Sequence, residues 1–226
     1  MNRHQWAKMP CYWQTDTRMH RRVAAATTGI AIAALKLFIG LCAKAAFNPT
    51  RDLPSGTVRG SIADLGRLVG VSKPTAIRAL RLLRRWGLVE TFEGRPAMHR
   101  LTRYDDADYW TKIPSAHLYG TSTKVMRRIA GMSSRGKARR QALQLYLYLA
   151  AIINGASGMA KVSYDKMTEV LYIGRNEVSR AISLLVEEDL VQVRPSESDD
   201  PTSKFRAPNQ YWLRGTTPRH ASYTDR

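Results

Sequence analysis

Cysteine and histidine are scarce in this 226-residue chain. The only cysteines are Cys11 and Cys42, too few for the disulfide framework of a small secreted domain. The five histidines are scattered, and no two of them stand at a helical spacing that would hold a metal. From these absences we expect a reduced, cytoplasmic protein with no metal site and no cofactor.

The sequence also lacks the motifs of enzymes that act on nucleic acids. It has no glycine-rich loop ending in Lys-Ser or Lys-Thr, so ATP hydrolysis is not predicted. Nicking enzymes need a histidine-bound metal beside a tyrosine nucleophile, and the histidines are missing. Tyr146 and Tyr148 lie in an apolar helical pattern, which predicts core residues. The protein is not expected to be an enzyme.

No hydrophobic run is long enough to cross a bilayer. The most apolar stretch, residues 23–47, is interrupted by Lys36 and Lys44. We therefore predict a buried helical region that is broken or reoriented near residues 27–29, and no membrane partner.

Acidic residues are half as frequent as basic ones: 18 Asp and Glu against 36 Lys and Arg, a net charge of +18. Both halves share the excess, because residues 1–112 carry 19 basic and 8 acidic residues and residues 113–226 carry 17 and 10. This distribution favours a polyanion contacted along the whole molecule. An acidic membrane surface or RNA is also a polyanion that this positive charge would attract.

The most informative stretch is residues 61–90, SIADLGRLVGVSKPTAIRALRLLRRWGLVE. Its spacing predicts a short helix from Ile62 to Leu68, a turn at Gly70, and a second helix capped by Ser72. The second helix would bury Ala76, Leu80 and Leu83. Two helices across a short turn, the second with a basic free face, are typical of units that enter a DNA major groove.

The free face of this second helix holds the first set of candidate DNA contacts. They are Lys73, Thr75, Ile77, Arg78, Arg81, Arg84 and Arg85. The alternative is an ordinary helical hairpin with a solvated charged face.

A second copy of the pattern favours the DNA-binding interpretation. Residues 163–192 align with residues 61–90 without a gap, at a constant offset of 102. The upstream helix repeats as well, since ALKLFIGLCA at 34–43 matches ALQLYLYLAA at 142–151. An internal repeat of this kind indicates one structural unit used twice.

The corresponding helix of the second copy carries side chains suited to base edges. Arginine pairs with guanine, asparagine with adenine and glutamate with cytosine. The candidates here are Arg175, Asn176, Glu177, Ser179, Arg180 and Ser183.

After the first helix pair, residues 88–92 and 97–104 have the composition of two strands joined by the turn Glu93-Gly94-Arg95-Pro96. Arg95, in this turn, joins the candidate DNA contacts. A helix, a helix-turn-helix and a β-hairpin in this order resemble a winged-helix DNA-binding domain. The resemblance predicts an α+β protein, mainly helical with small hairpins, and two winged helices at residues 31–104 and 141–214.

Three further segments complete the expected organisation. Residues 1–30 are predicted to form an irregular N-terminal arm, and residues 215–226 a disordered basic tail. Residues 105–140 are interpreted as a basic linker, because residues 124–140 contain seven basic residues and no acidic one. Arg139 and Arg140 are expected to contact phosphates, although a solvated connector would have the same composition.

Two winged helices joined by a basic linker resemble the replication initiators of bacterial plasmids and phages. The resemblance implies a bacterial cytoplasmic protein, associated with plasmid or nucleoid, whose partner is double-stranded DNA at repeated origin sites. It also implies contacts with host replication proteins and a possible homodimer. The alternatives are a transcriptional repressor or partition factor without melting activity, and a scaffold whose winged helices bind protein.

Overall fold

A computed structural model describes residues 5–94, 96–106, 108–122, 124–155, 157–195 and 208–216. It combines helices with small antiparallel sheets, in agreement with the predicted α+β class. The first part of the chain contains β1 (Ala7–Pro10), α1 (Thr17–Ala25), α2 (Thr28–Lys44), β2 (Thr57–Arg59), α3 (Ile62–Leu68), α4 (Lys73–Arg85), β3 (Val89–Phe92) and β4 (Met98–Leu101). The second part contains β5 (Trp110–Ile113), α5 (Ser115–Tyr119), α6 (Arg127–Gly131), α7 (Lys137–Ile152), β6 (Ala160–Val162), α8 (Tyr164–Leu171), α9 (Arg175–Glu187), β7 (Val191–Arg194) and β8 (Asn209–Leu213).

Helices α3 and α4 form where local sequence rules place them. Each is capped by a serine: Ser61 Oγ accepts the Asp64 N–H and Ser72 Oγ accepts the Thr75 N–H. Gly70 adopts φ +70° in the turn between them, a left-handed conformation that glycine tolerates best. The predicted bounds of α3 and the predicted burial of Ala76, Leu80 and Leu83 are confirmed.

Each helix pair is flanked by the strands of a three-stranded antiparallel sheet, one strand before the pair and two after it. The strand orders are β2-β4-β3 and β6-β8-β7, so the hairpin strand nearer the C terminus lies in the middle both times. The registers correspond as well, because Val89 faces Leu101 in the first sheet and Val191 faces Leu213 in the second.

The core is built on α2 and α7, which pack against each other while α2 also contacts α4 and α7 also contacts α9. The apolar run at residues 23–47 supplies the last residues of α1 and the whole of α2. The two helices are separated at Ala26–Thr27. Tyr146 and Tyr148 are buried in α7, as predicted. Over the described ranges, no helix combines the length and apolar character needed to span a bilayer.

The N-terminal segment differs from the irregular arm that we expected. Its residues form β1 and α1, and Met9, Met19 and Val23 are buried in the core. Strand β1 pairs antiparallel with β5, with Lys8 opposite Lys112. Local patterns could not predict this pairing, because the two strands lie about a hundred residues apart in the chain.

Much of the segment at residues 105–140, which we expected to be a linker, forms regular secondary structure. It contributes β5, α5 and α6, and it buries Met126, Ile129 and Met132. The fully buried Lys36 of α2 donates hydrogen bonds from Nζ to the carbonyl oxygens of Met132 and, at 3.5 Å, Ala130. Burial lowers the pKa of Lys36 to about 8. This amine therefore ties the segment to the core rather than facing a ligand.

Candidate nucleic-acid interface

Helix α4 presents an uncompensated basic face to solvent. Lys73, Arg78, Arg81, Arg84 and Arg85 are all exposed. Within the part of the chain that the structure describes, no carboxylate lies within 4.0 Å of any of these cations. Some arginines elsewhere are ion-paired, as Arg67 is with Asp64 at 2.8 Å. An unpaired cationic helix face is suited to phosphate and base-edge contacts.

Two predicted residues of α4 have a different role. Thr75 and Ile77 are half-buried rather than free. The Thr75 hydroxyl lies 2.9 Å from Ser72 Oγ, so it belongs to the helix cap. These two residues shape the start of the helix more than its outer face.

The C-terminal half of α4 borders an open groove of about 1630 Å³. Arg78, Arg81, Arg84 and Arg85 line it, together with the acidic Glu90. Arg22 of α1 adds a fifth arginine, and its Nη2 donates to the Arg85 carbonyl oxygen at 2.9 Å. Sequence reasoning missed Arg22 because helix α1 was not predicted. The other lining residues include the apolar Ile30, Leu82, Trp86, Val89 and Phe92.

Helix α9 exposes a polar face with little net charge. Asn176, Ser179, Arg180 and Ser183 are all exposed, as predicted for contacts with base edges. Ser183 Oγ donates to the Ser179 carbonyl oxygen at 3.2 Å, a bond that leaves its lone pairs available. These four side chains are thus brought to one surface of the helix.

Arg175 is held more tightly than its neighbours. Its Nη1 lies 2.6 Å from Asp165 Oδ1, and its guanidinium lies 5.5 Å from the centroid of the Tyr164 ring. Both partners belong to α8, so a DNA phosphate would have to compete with them for this arginine.

Glu177 caps helix α9 instead of presenting a free acceptor. Its Oε2 accepts the Gly174 N–H at 2.9 Å, and its Oε1 lies 2.6 Å from Lys137 Nζ. The hydrogen bond from Lys137, followed by that from Gly174, lowers the pKa of Glu177 to about 2. The structure does not support the predicted pairing of Glu177 with cytosine, because its oxygens are engaged within the protein.

The substitution Glu177→Gln tests this capping role through its pH dependence. The folded-state pKa of about 2 lies below the ordinary value of 4.5, so the carboxylate stabilises the fold above about pH 4.5. That contribution is lost as pH falls through 2, where a protonated glutamate resembles glutamine. We expect the variant to lose about 1 kcal/mol of unfolding free energy at pH 7. Urea unfolding should show the gap closing between pH 4.5 and pH 2.

Glu169→Gln is the matched control for that experiment. Glu169 is exposed on α8 and pairs with Lys166 at 2.9 Å, and among the described residues it bonds to no helix N terminus. An exposed pair of this kind contributes only a few tenths of a kcal/mol. Equal losses in the two variants at pH 7 would contradict the capping role of Glu177.

The two arginines expected to bridge phosphates are withdrawn from solvent. Arg140 is 5% exposed, and its Nη1 donates to the Ala24 carbonyl oxygen at 2.9 Å. Arg139 is half-buried. The structure does not support the predicted contact of Arg140 with DNA, because its guanidinium is buried and bonded to the backbone. Arg95, the candidate of the first hairpin turn, lies outside the described residues.

Among the residues with described positions, no three His, Cys, Asp or Glu side chains are grouped as a metal site. No protein-family model matches the chain. A search of curated proteins likewise gives no significant match. The functional assignment therefore depends on the residues of α4 and α9 themselves.

Proposed function

We propose that this protein binds double-stranded DNA in a sequence-dependent manner through two winged helices that present α4 and α9. The observation that carries the proposal is the exposed face of α4, where five cations lack an acidic partner among the residues described. Five like charges on a thirteen-residue helix repel one another, and an anionic ligand relieves that repulsion. The phosphates of a DNA groove supply such a ligand.

Corresponding contacts support the proposal that the chain contains two copies of one unit. Gly87 and Asp189 stand at the offset of 102 and both adopt positive φ, +73° and +53°. The Gly87 carbonyl accepts the Tyr12 hydroxyl at 3.3 Å, and the Asp189 carbonyl accepts His117 Nε2 at 2.6 Å. Tyr12 and His117 precede the central helices α2 and α7, so segments 7–25 and 110–131 are the leading parts of their respective units rather than an arm and a linker.

The two helices would divide the task of binding. Helix α4 carries cations without a carboxylate, which favours strong contacts that depend little on sequence. Helix α9 carries Asn176, Ser179 and Arg180 with nearly balanced charge, which favours hydrogen bonds to base edges. We infer that α4 supplies most of the affinity and α9 most of the sequence preference.

Within DNA-binding proteins, the resemblance to plasmid and phage initiators makes replication initiation our preferred role. Origin binding predicts several copies of the site beside an easily melted duplex, whereas a repressor needs a site that overlaps a promoter. Selection of bound fragments from a random duplex pool, followed by footprinting, tests DNA recognition and locates the site. Contacts about one helical turn apart would indicate that both helices enter the major groove.

Arg180→Ala tests the assignment of sequence preference to α9. Arg180 is exposed and has no carboxylate within 4.0 Å among the described residues, so the substitution changes no internal ion pair. We expect affinity for the selected site to fall about tenfold, with relaxed preference at one base pair. Binding titrations against the selected site and its single-base variants measure both effects.

Arg194→Ala provides the control, since Arg194 is also exposed but lies on β7. It should leave base preference unchanged. If Arg180→Ala leaves that preference unchanged too, α9 does not contact base edges in the manner proposed.

A further inference from the structure

The outer face of the β1–β5 ribbon combines aromatic rings with opposed cations. Met9 and Ile113 on the inner face are fully buried in the core. Alternation along the two strands places Lys8 and Lys112 on the outer face with Trp110. Trp6, the residue before β1, adds a second indole. Trp110 and Lys112 are exposed on this face, whereas Lys8 and Trp6 are half-buried.

Lys8 and Lys112 occupy directly opposite positions in the antiparallel ladder. Like charges at such positions destabilise a sheet. Neither amine has a carboxylate within 4.0 Å among the residues that the structure places. The nearby Asp106 is engaged with Arg103 at 2.6 Å, although Lys8 also contributes to lowering the pKa of that carboxyl. Such a local cost is expected where a surface serves an anionic ligand.

The rings around these lysines form a continuous aromatic surface. Trp6 and Trp110 are stacked with centroids 6.2 Å apart, and Trp6 meets Phe47 edge-on at 5.7 Å. Lys112 Nζ lies 4.6 Å from the centroid of the Trp6 ring, and Lys8 Nζ lies 5.5 Å from that of Trp110. Phe47 and Trp110 are 49% and 38% exposed, so hydrophobic ring surface faces water.

We propose that this face of the β1–β5 ribbon binds single-stranded nucleic acid. Unpaired bases stack on exposed aromatic rings while basic side chains contact the adjacent phosphates. A duplex keeps its bases stacked internally and cannot use the rings in this way. An acidic peptide would neutralise Lys8 and Lys112 but leave the rings in water. The combination of rings and cations therefore favours a single strand, and this surface is separate from the helix faces assigned to duplex DNA.

The test measures binding of a fluorescein-labelled twenty-nucleotide oligothymidylate to the full chain by anisotropy. Lys112→Glu reverses one charge on the ribbon and should weaken binding about tenfold. Lys161→Glu is the matched control, because Lys161 is likewise exposed in a short strand, β6, with no carboxylate within 4.0 Å in the described structure. It should change binding by less than about twofold.

The aromatic contribution is tested at Trp110. Trp110→Ala should weaken oligothymidylate binding about tenfold, whereas Trp110→Phe should retain most of it because a ring remains for stacking. Binding should also quench tryptophan fluorescence less in Trp110→Phe than in the wild type. The fluorescence change reports base stacking on the Trp110 indole directly, which a purely structural role of this residue would not produce.

Duplex binding measured on the same variants separates this proposal from the one above. The ribbon variants should lose single-strand binding and keep duplex binding, while Arg78→Ala/Arg81→Ala should do the reverse. Equal effects of Lys112→Glu and Lys161→Glu on oligothymidylate would overturn the ribbon proposal. So would displacement of oligothymidylate by polyglutamate at the same concentration of charge, which would indicate a surface for acidic protein segments.

Discussion

Arg78→Ala/Arg81→Ala is expected to bind duplex DNA about a hundredfold more weakly than the wild type. Both arginines are exposed on α4 and line the groove that Arg22 completes. Each lost arginine contact costs about 1–3 kcal/mol, or roughly tenfold in affinity. If both contact phosphates, the slope of log K against log salt should also become shallower by about 2. Anisotropy titrations at four salt concentrations measure the affinity and the slope together.

The control removes the same formal charge from sites that are already neutralised. Arg67→Ala/Lys166→Ala alters exposed cations on α3 and α8, which pair with Asp64 at 2.8 Å and Glu169 at 2.9 Å. Because those charges are compensated within the protein, this double variant should stay within about threefold of the wild type. Similar losses in both double variants would indicate that binding follows net charge alone, and would remove α4 from the proposed interface.

Gly70→Ala is expected to destabilise the fold by about 3 kcal/mol. Gly70 adopts φ +70°, where a side chain costs about 1–2 kcal/mol. An added Cβ would also lie 2.7 Å from the Ala130 carbonyl oxygen and 2.8 Å from its Cα. Because these are backbone atoms of α6, the collision can be relieved only by moving α6 away from the turn, at a further cost of about 1–3 kcal/mol. Urea unfolding monitored by circular dichroism measures the loss.

Gly87→Ala separates the two costs. Gly87 adopts nearly the same φ, +73°, but beyond its chain neighbours no atom of the described residues lies within 4 Å of an added Cβ. This variant should lose only the conformational term, about 1 kcal/mol. In the corresponding turn between α8 and α9, the non-glycine residue Tyr172 adopts φ +55° and is 58% exposed. A side chain is therefore tolerated at such a φ where it can extend into solvent. If the two glycine variants are equally stable, α6 does not pack against the α3–α4 turn as the structure shows.

The local elements were predictable because their determinants lie within a few residues of one another. The i, i+3 spacing of Ile62, Leu65 and Leu68, together with the cap at Ser61, defines α3. Ser72, with Pro74 in the first turn, defines the start of α4. The strand predicted at residues 88–92 was likewise found as β3. None of these features needs information from a distant part of the chain.

The capping role of Glu177 was also local, yet it was missed. The usual sequence signal is a serine or threonine three residues before the glutamate, and here the cap residue is Gly174. The exposed glutamate was therefore interpreted as a base contact. Lys137, the ion-pair partner that fixes it, belongs to α7 and could not be assigned from spacing.

The sequence by itself determined the helix pairs, the hairpins and the basic face of α4, because short-range periodicity and capping specify them. Tertiary structure alone decided the pairing of β1 with β5, the burial of Arg140 against Ala24 and the approach of Arg22 to α4. These contacts join residues 63 or more positions apart. Hydrophobic burial and long-range hydrogen bonding select them among many sterically possible pairings, and no local pattern records that choice.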